Sequence, residues 1–132
     1  MPTQNPNYIA GGTLYPKRFV TLQTDADLTV EESNAGDMPV GITGIGSRVA
    51  PIPALAGTIE HAVAGETPRV HGLGEEAWLV AGGTVTAGAY VKPDNDGKGV
   101  AATTGDEYGA RALSAANSGE DIRVFVERGT CP

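Results

Sequence analysis

Two histidines and the glutamates beside them are the first residues in this chain that could do chemistry. His61 and His71 are accompanied by Glu60, Glu75 and Glu76. Imidazole nitrogens and carboxylate oxygens bind zinc, so these side chains would form a metal site if paired strands brought them together. No motif enforces that geometry. We therefore expect both histidines on strand faces, with no metal or other cofactor.

Other patterns typical of catalysis or ligand binding are incomplete. The acidic turn at 94–97 resembles the start of a calcium loop, but the position that would need a glutamate is Gly105. Ser114 and Ser118 have no nucleophile-elbow sequence around them, and Cys131 has no second cysteine to pair with. No glycine-rich segment completes a phosphate-binding loop. The sequence therefore predicts a protein that is not an enzyme.

The composition narrows the classes of partner. The formal net charge is −7, so the chain gains nothing from counterion release on a polyanion, and we expect no nucleic-acid partner. No apolar run approaches the roughly 20 residues that span a bilayer, and residues 1–7 do not resemble a signal peptide. We therefore expect no membrane partner and synthesis in a cytosol. Leu, Ile, Val and Phe supply only about a fifth of the residues, a thin core that favours an oligomer.

The elements that must position these side chains show an internal repeat. Gly11-Gly12-Thr13 recurs as Gly82-Gly83-Thr84, and an Asp-rich turn follows each triplet. Five further positions match between the copies: Leu14 with Val85, Phe19 with Tyr90, Val20 with Val91, Val30 with Val100, and Gly41 with Gly109. We interpret this pattern as a duplicated β-unit, with copies at about 11–46 and 82–126. The segment 47–65 between them has no counterpart in the repeat.

Short alternating segments separated by turn residues predict an all-β domain, a small barrel or sandwich. The clearest strand is 122–128, where Ile122, Val124 and Val126 share one face. We predict a hairpin over 83–91, and strands rather than helices at 75–81 and 108–116. The alanine-rich sequence of the last segment also has good helix propensity.

The domain boundaries follow from composition. Residues 1–13 are expected to be an extended N-terminal arm, residues 14–129 a single β domain, and residues 130–132 a C-terminal tail. Tyr8, Ile9, Leu14 and Tyr15 are candidate contacts to a neighbouring protein. Trp78, the only tryptophan, is expected to be either the main filler of the core or an interface anchor.

The second copy carries a run of strand and turn residues that resembles the small head decoration (capsid cement) proteins of tailed bacteriophages. The resemblance is best over 82–129 and weaker over 11–46. The residues that carry it are Val85-x-x-Gly88-x-Tyr90-Val91, then Asp96-Gly97-Lys98-Gly99-Val100, then Gly109-Ala110-Arg111-Ala112-Leu113-x-Ala115-Ala116-x-x-Gly119-Glu120-x-Ile122-x-Val124-x-Val126.

This resemblance implies a β-tulip-like domain that forms a homotrimer and binds the major capsid protein. Such a trimer would be assembled in the host cytoplasm and would lie on the outer surface of an expanded head, at three-fold positions, with the arm reaching across subunits. Two alternatives stay open. One is another virion or tail β-module that binds a host surface or glycan, such as a head fibre base, and the other is a small metal-binding β-barrel enzyme.

Overall fold

The computed structural model describes residues 8–24, 27–44 and 61–132. Within these ranges all regular structure is β-strand, arranged in two five-stranded sheets, and the all-β prediction is confirmed. The first sheet contains β1 (Ile9–Ala10), β2 (Phe19–Leu22), β3 (Thr29–Glu32), β4 (Gly41–Thr43) and β5 (Val70–His71). The second contains β6 (Glu76–Val80), β7 (Tyr90–Pro93), β8 (Gly99–Ala101), β9 (Glu107–Ala112) and β10 (Asp121–Thr130).

Alternation of apolar and polar residues explains the longest strands. In β10 the side chains of Ile122, Val124 and Val126 are buried while the residues between them face outward. Burial also alternates along β6, where Ala77 and Leu79 are buried. The alanine-rich β9 is a strand despite its helix propensity, because it pairs with β7 on one side and β10 on the other. The strands predicted at 75–81 and 122–128 are confirmed, whereas the strand predicted over 108–116 is confirmed only to Ala112, where β9 ends.

Four of the five strands in each sheet have the same topology, and the fifth strand differs, because β1 pairs with β3 whereas β6 pairs with β10. The strand order is β1-β3-β2-β4-β5 in the first sheet and β6-β10-β9-β7-β8 in the second. The run β3-β2-β4-β5 therefore matches β8-β7-β9-β10 both in neighbours and in chain order. We call β1–β5 with their connections the first unit, and β6–β10 with theirs the second unit. The duplicated β-unit inferred from the sequence is one interpretation of this correspondence.

Hydrogen bonds outside the strand ladders repeat between the units. The segments 10–14 and 81–85 make the same backbone bonds at nearly the same lengths, and so do the turns at 62–66 and 116–120. Three matched pairs are Gly11 N–H to Val30 O (2.9 Å) with Gly82 N–H to Gly99 O (2.8 Å), Ala10 N–H to Glu66 O (2.8 Å) with Ala81 N–H to Glu120 O (2.8 Å), and Leu14 N–H to Ala62 O (2.8 Å) with Val85 N–H to Ala116 O (2.9 Å).

Left-handed backbone conformations also occur at matching positions. A positive φ favours glycine, and non-glycine residues adopt it rarely. The four matched pairs are Lys17 (59°) with Gly88 (84°), Leu28 (53°) with Gly97 (75°), Gly36 (89°) with Gly105 (91°), and Gly65 (89°) with Gly119 (88°). The backbone path is therefore shared even where glycine is replaced by a larger residue.

The correspondence differs from the sequence match in two ways. Val20 pairs with Gly41 and Val91 pairs with Ala110, so Gly41 corresponds to Ala110 and not to Gly109. The match between Val30 and Val100 is also wrong by one position, in the opposite direction, because Leu22 pairs with Val30 and Pro93 with Gly99, so Val30 corresponds to Gly99. In addition, the turn at 62–66 has a counterpart at 116–120, which the different intervals between motifs in the two copies concealed.

The predicted hairpin over 83–91 is wrong. Val85 forms a bridge with Ala116, whereas Tyr90 pairs with Arg111 in β9. The turn that ends at Gly88 therefore does not reverse the chain. The residues before it and those after it both lie beside the segment 111–116. Several other expectations, namely those for residues 1–7, the turn residues Asp25 and Ala26, and 45–60, lie outside the described residues.

Both ends of the described domain are attached to its sheets. Ile9 and Ala10, expected in the arm, form β1 and pair in parallel with β3. Thr130, expected in the tail, belongs to β10, and Cys131 donates its backbone N–H to Asp106 O at 2.7 Å. Backbone pairing supplies the order that the polar composition of these segments did not predict. The described residues contain no helix long and apolar enough to cross a bilayer.

Two clusters of buried side chains form the core. The first cluster comprises Ala10, Leu14, Val20, Val30, Ala62 and Val70, all from the first unit. The second is built on the buried faces of β6, β7, β9 and β10, and two residues of the first unit, Phe19 and Ile42, belong to it. The first unit thus contributes two large side chains to the core of the second, which joins the units through a continuous apolar contact.

Candidate interaction surfaces

The histidines are used in local structure. Nε2 of His61 accepts a hydrogen bond from the backbone N–H of Arg69 at 3.0 Å, which occupies the lone pair that a metal would need. His71 Nδ1 lies 3.5 Å from Glu75 Oε1. Across the described ranges, no three His, Cys, Asp or Glu side chains are arranged to hold a metal ion. Glu60 lies outside those ranges.

The Asp94 carboxylate of the acidic turn and the Cys131 thiol both contact backbone groups of the chain. Oδ1 of Asp94 accepts hydrogen bonds from the backbone N–H groups of Asp96 at 2.8 Å and Lys98 at 3.0 Å. This carboxylate caps its own turn, as the sequence predicted when the calcium pattern failed. Cys131 is half-buried as a free thiol, with Sγ 4.0 Å from the carbonyl oxygen of Ala102.

The candidate contact residues near the N-terminus are in different environments. Leu14 has no exposed surface and packs in the core of the first unit, so in the folded chain its side chain is not available to a neighbour. Tyr8 is half-buried against the same cluster. Tyr15 is half-buried, and its backbone N–H donates to Glu32 Oε2 at 2.9 Å. Ile9 is 43% exposed and remains a surface candidate.

Trp78 belongs to the surface and not to the core. Strand alternation in β6 turns it outward, and it is 41% exposed. The guanidinium of Arg123, its cross-strand partner, lies 5.8 Å from the ring centroid. Arg123 Nε also donates to Glu76 Oε1 at 2.8 Å, and Leu113, 49% exposed, bonds to Arg123 through its backbone. These residues, Glu76, Trp78, Leu113 and Arg123, form what we call the tryptophan face.

A second surface cluster, made of two half-buried tyrosines and an exposed arginine, was not found from the sequence. The rings of Tyr90 and Tyr108 lie 4.4 Å apart, and the Arg111 guanidinium lies 5.1 Å from the Tyr90 ring centroid. Arg111 Nε also donates to Gly88 O at 3.2 Å, which fixes the guanidinium in place. We call Tyr90, Tyr108 and Arg111 the tyrosine face. A signal was present, because Tyr90 corresponds to the buried Phe19 of the first copy and yet carries a hydroxyl group.

Apolar side chains are also exposed on the first unit. Ile9 and Leu22 are each 43% exposed and Leu28 is 50% exposed, and the two leucines line a shallow surface depression. The backbone N–H of Ile9 donates to Leu28 O at 2.8 Å, so β1 and the turn before β3 form one surface. We call Ile9, Leu22 and Leu28 the leucine edge. Asp27 lies beside it and is exposed.

The joint between the units combines backbone bonds with apolar packing. The Phe19 N–H donates to Gly97 O at 2.7 Å, and Arg18 Nη1 donates to Asp96 O at 3.1 Å. The Ala35 N–H bonds to the Asn95 side-chain oxygen at 3.2 Å. At the other end of the joint, Val80 N–H donates to Lys17 O at 2.9 Å, and Lys17 Nζ bonds to Asp121 Oδ2 at 2.9 Å.

Two carboxyl groups near these surfaces have shifted pKa values of opposite direction. Burial raises the pKa of Glu32 above its ordinary value of 4.5, although the bond from Tyr15 N–H and the charge of Arg18 oppose the shift. Hydrogen bonds from Lys92 and Thr103 hold the pKa of Asp106 well below 3.8. Burial also raises the pKa of Tyr108, with Glu127 adding to the effect. Both carboxyl groups have structural partners.

Comparison with known proteins gives a fold relationship. No protein-family model matches the chain, and no curated protein matches it significantly. Among solved structures, the chain is similar to the N base of the head fiber protein gp8.5 of bacteriophage phi29, with a TM-score of 0.64 at 13% sequence identity. The superposition covers 96% of this chain and 95% of that one. At this identity the similarity establishes a shared fold from end to end.

Proposed function

We propose that this chain is a structural protein of a bacteriophage head, a trimeric decoration (cement) protein that binds the outer surface of the expanded capsid at three-fold positions. The observation that supports this most directly is the end-to-end fold similarity to a phage head fiber base. Its role would be mechanical and not catalytic, and it would be assembled onto heads in the host cytoplasm.

The physical argument for a cement role concerns contact area across capsid joints. Packaged DNA pushes the capsid outward, so a protein that bridges neighbouring capsid subunits opposes their separation. A protein that binds the expanded lattice and not the unexpanded one also shifts that equilibrium toward the expanded state. The net charge of −7 suits an outer surface, because it disfavours binding to the packaged DNA.

The tryptophan face is the surface we assign to the capsid. It presents an indole ring and an arginine, two of the residue types that most often dominate binding energy at protein interfaces, with the exposed Leu113 beside them. Arg123 is held over Trp78 and against Glu76, so the face loses little side-chain freedom when it binds. The arm to the capsid was expected over residues 1–13, and its first seven residues lie outside the described structure.

The proposal is tested with purified chain and with phage heads in expanded and unexpanded forms. We expect light scattering to give the mass of a trimer, and sedimentation to show binding to expanded heads only. Decorated heads filled with DNA should release it at a higher temperature than bare heads. A chain that binds neither form of head at micromolar concentration would overturn the proposal.

A second candidate is a head fibre base, which the name of the phi29 neighbour favours. A fibre base needs to bind the head but does not need to strengthen it. The same heating experiment separates the two roles: a cement raises the temperature of DNA release, whereas a fibre base leaves it unchanged. Binding without stabilisation would therefore favour the fibre base.

A further inference from the structure

The joint between the two units uses one surface from each unit. On the first unit, Phe19, Pro39 and Ile42 are covered, since Phe19 and Ile42 enter the core of the second unit and the Phe19 and Pro39 side chains press against Gly109. On the second unit, the turn that ends at Gly97 and the end of β6 at Val80 make the contact, through Phe19 and Lys17 respectively. Each unit also has an equivalent of the surface that the other unit uses, because four strands of each share one topology and the segments 10–14 and 81–85 make the same backbone bonds.

The equivalent of the covered surface of the first unit is not covered by another unit on the second, where Tyr90 and Tyr108 are half-buried and Arg111 is exposed. Phe19 pairs with Ile42 in the first unit, and Tyr90 pairs with Arg111 in the second. Tyr90 is therefore the equivalent of Phe19, and Arg111 is the equivalent of Ile42. Tyr108 precedes Arg111 by the same three residues that separate Pro39 from Ile42. The tyrosine face therefore stands where the first unit is covered by the second.

The equivalent of the covering surface of the second unit is exposed on the first. Ile9 and Val80 each come directly before the alanine that makes the repeated bond to a glutamate carbonyl oxygen. Leu28 and Gly97 share a positive φ, 53° and 75°, and lie two residues before Val30 and Gly99, which accept equivalent bonds. The leucine edge is thus the unused copy of the covering surface.

We propose that the leucine edge of one copy of this chain binds the tyrosine face of a second copy, repeating the internal joint between chains. The two surfaces are complementary in chemistry. Ile9 and Leu28 offer aliphatic side chains, while Tyr90 and Tyr108 form a stacked aromatic pair held by Arg111. Asp27, exposed beside Leu28, has the charge opposite to that of Arg111.

The proposed contact between chains uses the same surfaces as the internal joint, but it cannot form all of the same backbone hydrogen bonds. Within the first unit the Ile9 N–H already donates to Leu28 O, whereas Val80 N–H and Gly97 O bond to Lys17 and Phe19 of the other unit. The side chains therefore carry more of the contact between chains. Leucine rarely adopts a left-handed backbone, and this exposed one presents its side chain where a second copy would cover it.

Because the two surfaces differ, the contact runs head to tail, and successive copies form a closed ring or an open filament. The inference rests on the proposed function only for the number of copies, since a trimer requires the ring to close at three. It names the surfaces through which that ring would form, and it leaves the tryptophan face available to the capsid.

Three single variants and one mixture test the contact. Leu28→Asp replaces an apolar side chain of the leucine edge by a charged one, and aspartate tolerates a positive φ better than most residues. Arg111→Glu reverses the charge on the tyrosine face. Leu73→Asp is the control, because Leu73 is also 50% exposed and lies on neither surface. Light-scattering mass should give a trimer for the wild type and for Leu73→Asp, and monomers for the other two variants.

The mixture distinguishes a head-to-tail contact from a symmetric one. A Leu28→Asp chain keeps an intact tyrosine face and an Arg111→Glu chain keeps an intact leucine edge, so equal amounts should form dimers that cannot grow. A Leu28→Asp variant that stays trimeric, a mixture that stays monomeric, or a monomeric wild type would each overturn the inference. A wild-type trimer with these interface effects that binds no phage head would overturn the proposed function and leave this inference standing.

Discussion

Leu28 and Gly97 occupy the same position in the two units and share a left-handed backbone, but only Gly97 is enclosed by protein. A Cβ atom built on Gly97 would lie 3.0 Å from the carbonyl oxygen of Phe19, and Leu28 is half exposed. Glycine is therefore favoured in the second unit both by φ and by the closeness of the first unit. In the first unit the same backbone carries a leucine whose side chain reaches solvent.

Substitution of Gly97 by alanine should destabilise the protein more than the same change at Gly88. Both glycines have positive φ, which costs an L-residue roughly 1–2 kcal/mol. A Cβ at Gly88 meets nothing within 4 Å, whereas at Gly97 it must also push the Phe19 carbonyl. We expect Gly88→Ala to lower the free energy of unfolding by about 1–2 kcal/mol and Gly97→Ala by about 2–4 kcal/mol in urea titrations. Equal losses would contradict the close joint.

Truncation of Leu14 should reduce stability and not only binding. Leu14 is fully buried, so Leu14→Ala leaves a cavity and should lower the free energy of unfolding by about 2–5 kcal/mol. Ile9→Ala is the matched control, because Ile9 is 43% exposed and its loss should cost under about 1 kcal/mol. If Leu14→Ala kept full stability and lost head binding, Leu14 would be an interface residue after all.

Replacement of Glu32 should make the protein relatively more stable as the pH rises. Burial raises the pKa of Glu32 in the folded state, so the protonated carboxyl is the favoured form there. Its contribution to stability is present in full below pH 4.5 and is lost as the pH rises through the raised pKa. Glu32→Gln keeps an oxygen that can accept the Tyr15 N–H. Denaturant titrations at several pH values should show the variant gaining on the wild type across that window.

Asp106 should show the opposite dependence on pH. Its carboxylate accepts hydrogen bonds from Lys92 Nζ at 2.8 Å and from the Thr103 N–H at 2.9 Å, which lowers its pKa below 3.8. The stability it contributes is present above pH 3.8 and is lost as the pH falls through the lowered pKa. Asp106→Asn should therefore lose stability at neutral pH and approach the wild type in acid. A constant difference at all pH values would contradict this assignment.

The strands could be read from the sequence where residues alternate, and the pairing between them could not. Ile122, Val124 and Val126 showed their shared face directly, and Trp78 was recognised as lying on a strand. The pairing of Val85 with Ala116 was missed, because a bridge across 31 residues leaves no local pattern. The match of Gly41 with Gly109 was wrong by one position, because residue type suggested it and backbone pairing excludes it.

The candidate surfaces were predictable in part for a similar reason. The rarity of tryptophan identified Trp78, and exposure depended on which face of β6 it occupied. Leu14 was expected to contact a neighbouring protein, but the bridge from Leu14 to Ala62 places its side chain in the core. The tyrosine face requires Tyr90 and Tyr108 to meet from different strands, and their spacing in the sequence does not indicate that contact.

Loss of the Trp78 side chain should weaken binding to phage heads without weakening the fold. The ring is 41% exposed and belongs to neither buried cluster, so Trp78→Ala should change the free energy of unfolding by less than about 1 kcal/mol. If the tryptophan face binds the capsid, loss of an anchor residue should cost about 2 kcal/mol of binding, roughly a 30-fold rise in Kd. Sedimentation with expanded heads over a range of chain concentrations measures this. Leu73→Ala, a change of a similarly exposed apolar side chain elsewhere, should leave Kd within about twofold, and equal binding by the Trp78 variant would move the capsid contact to another surface.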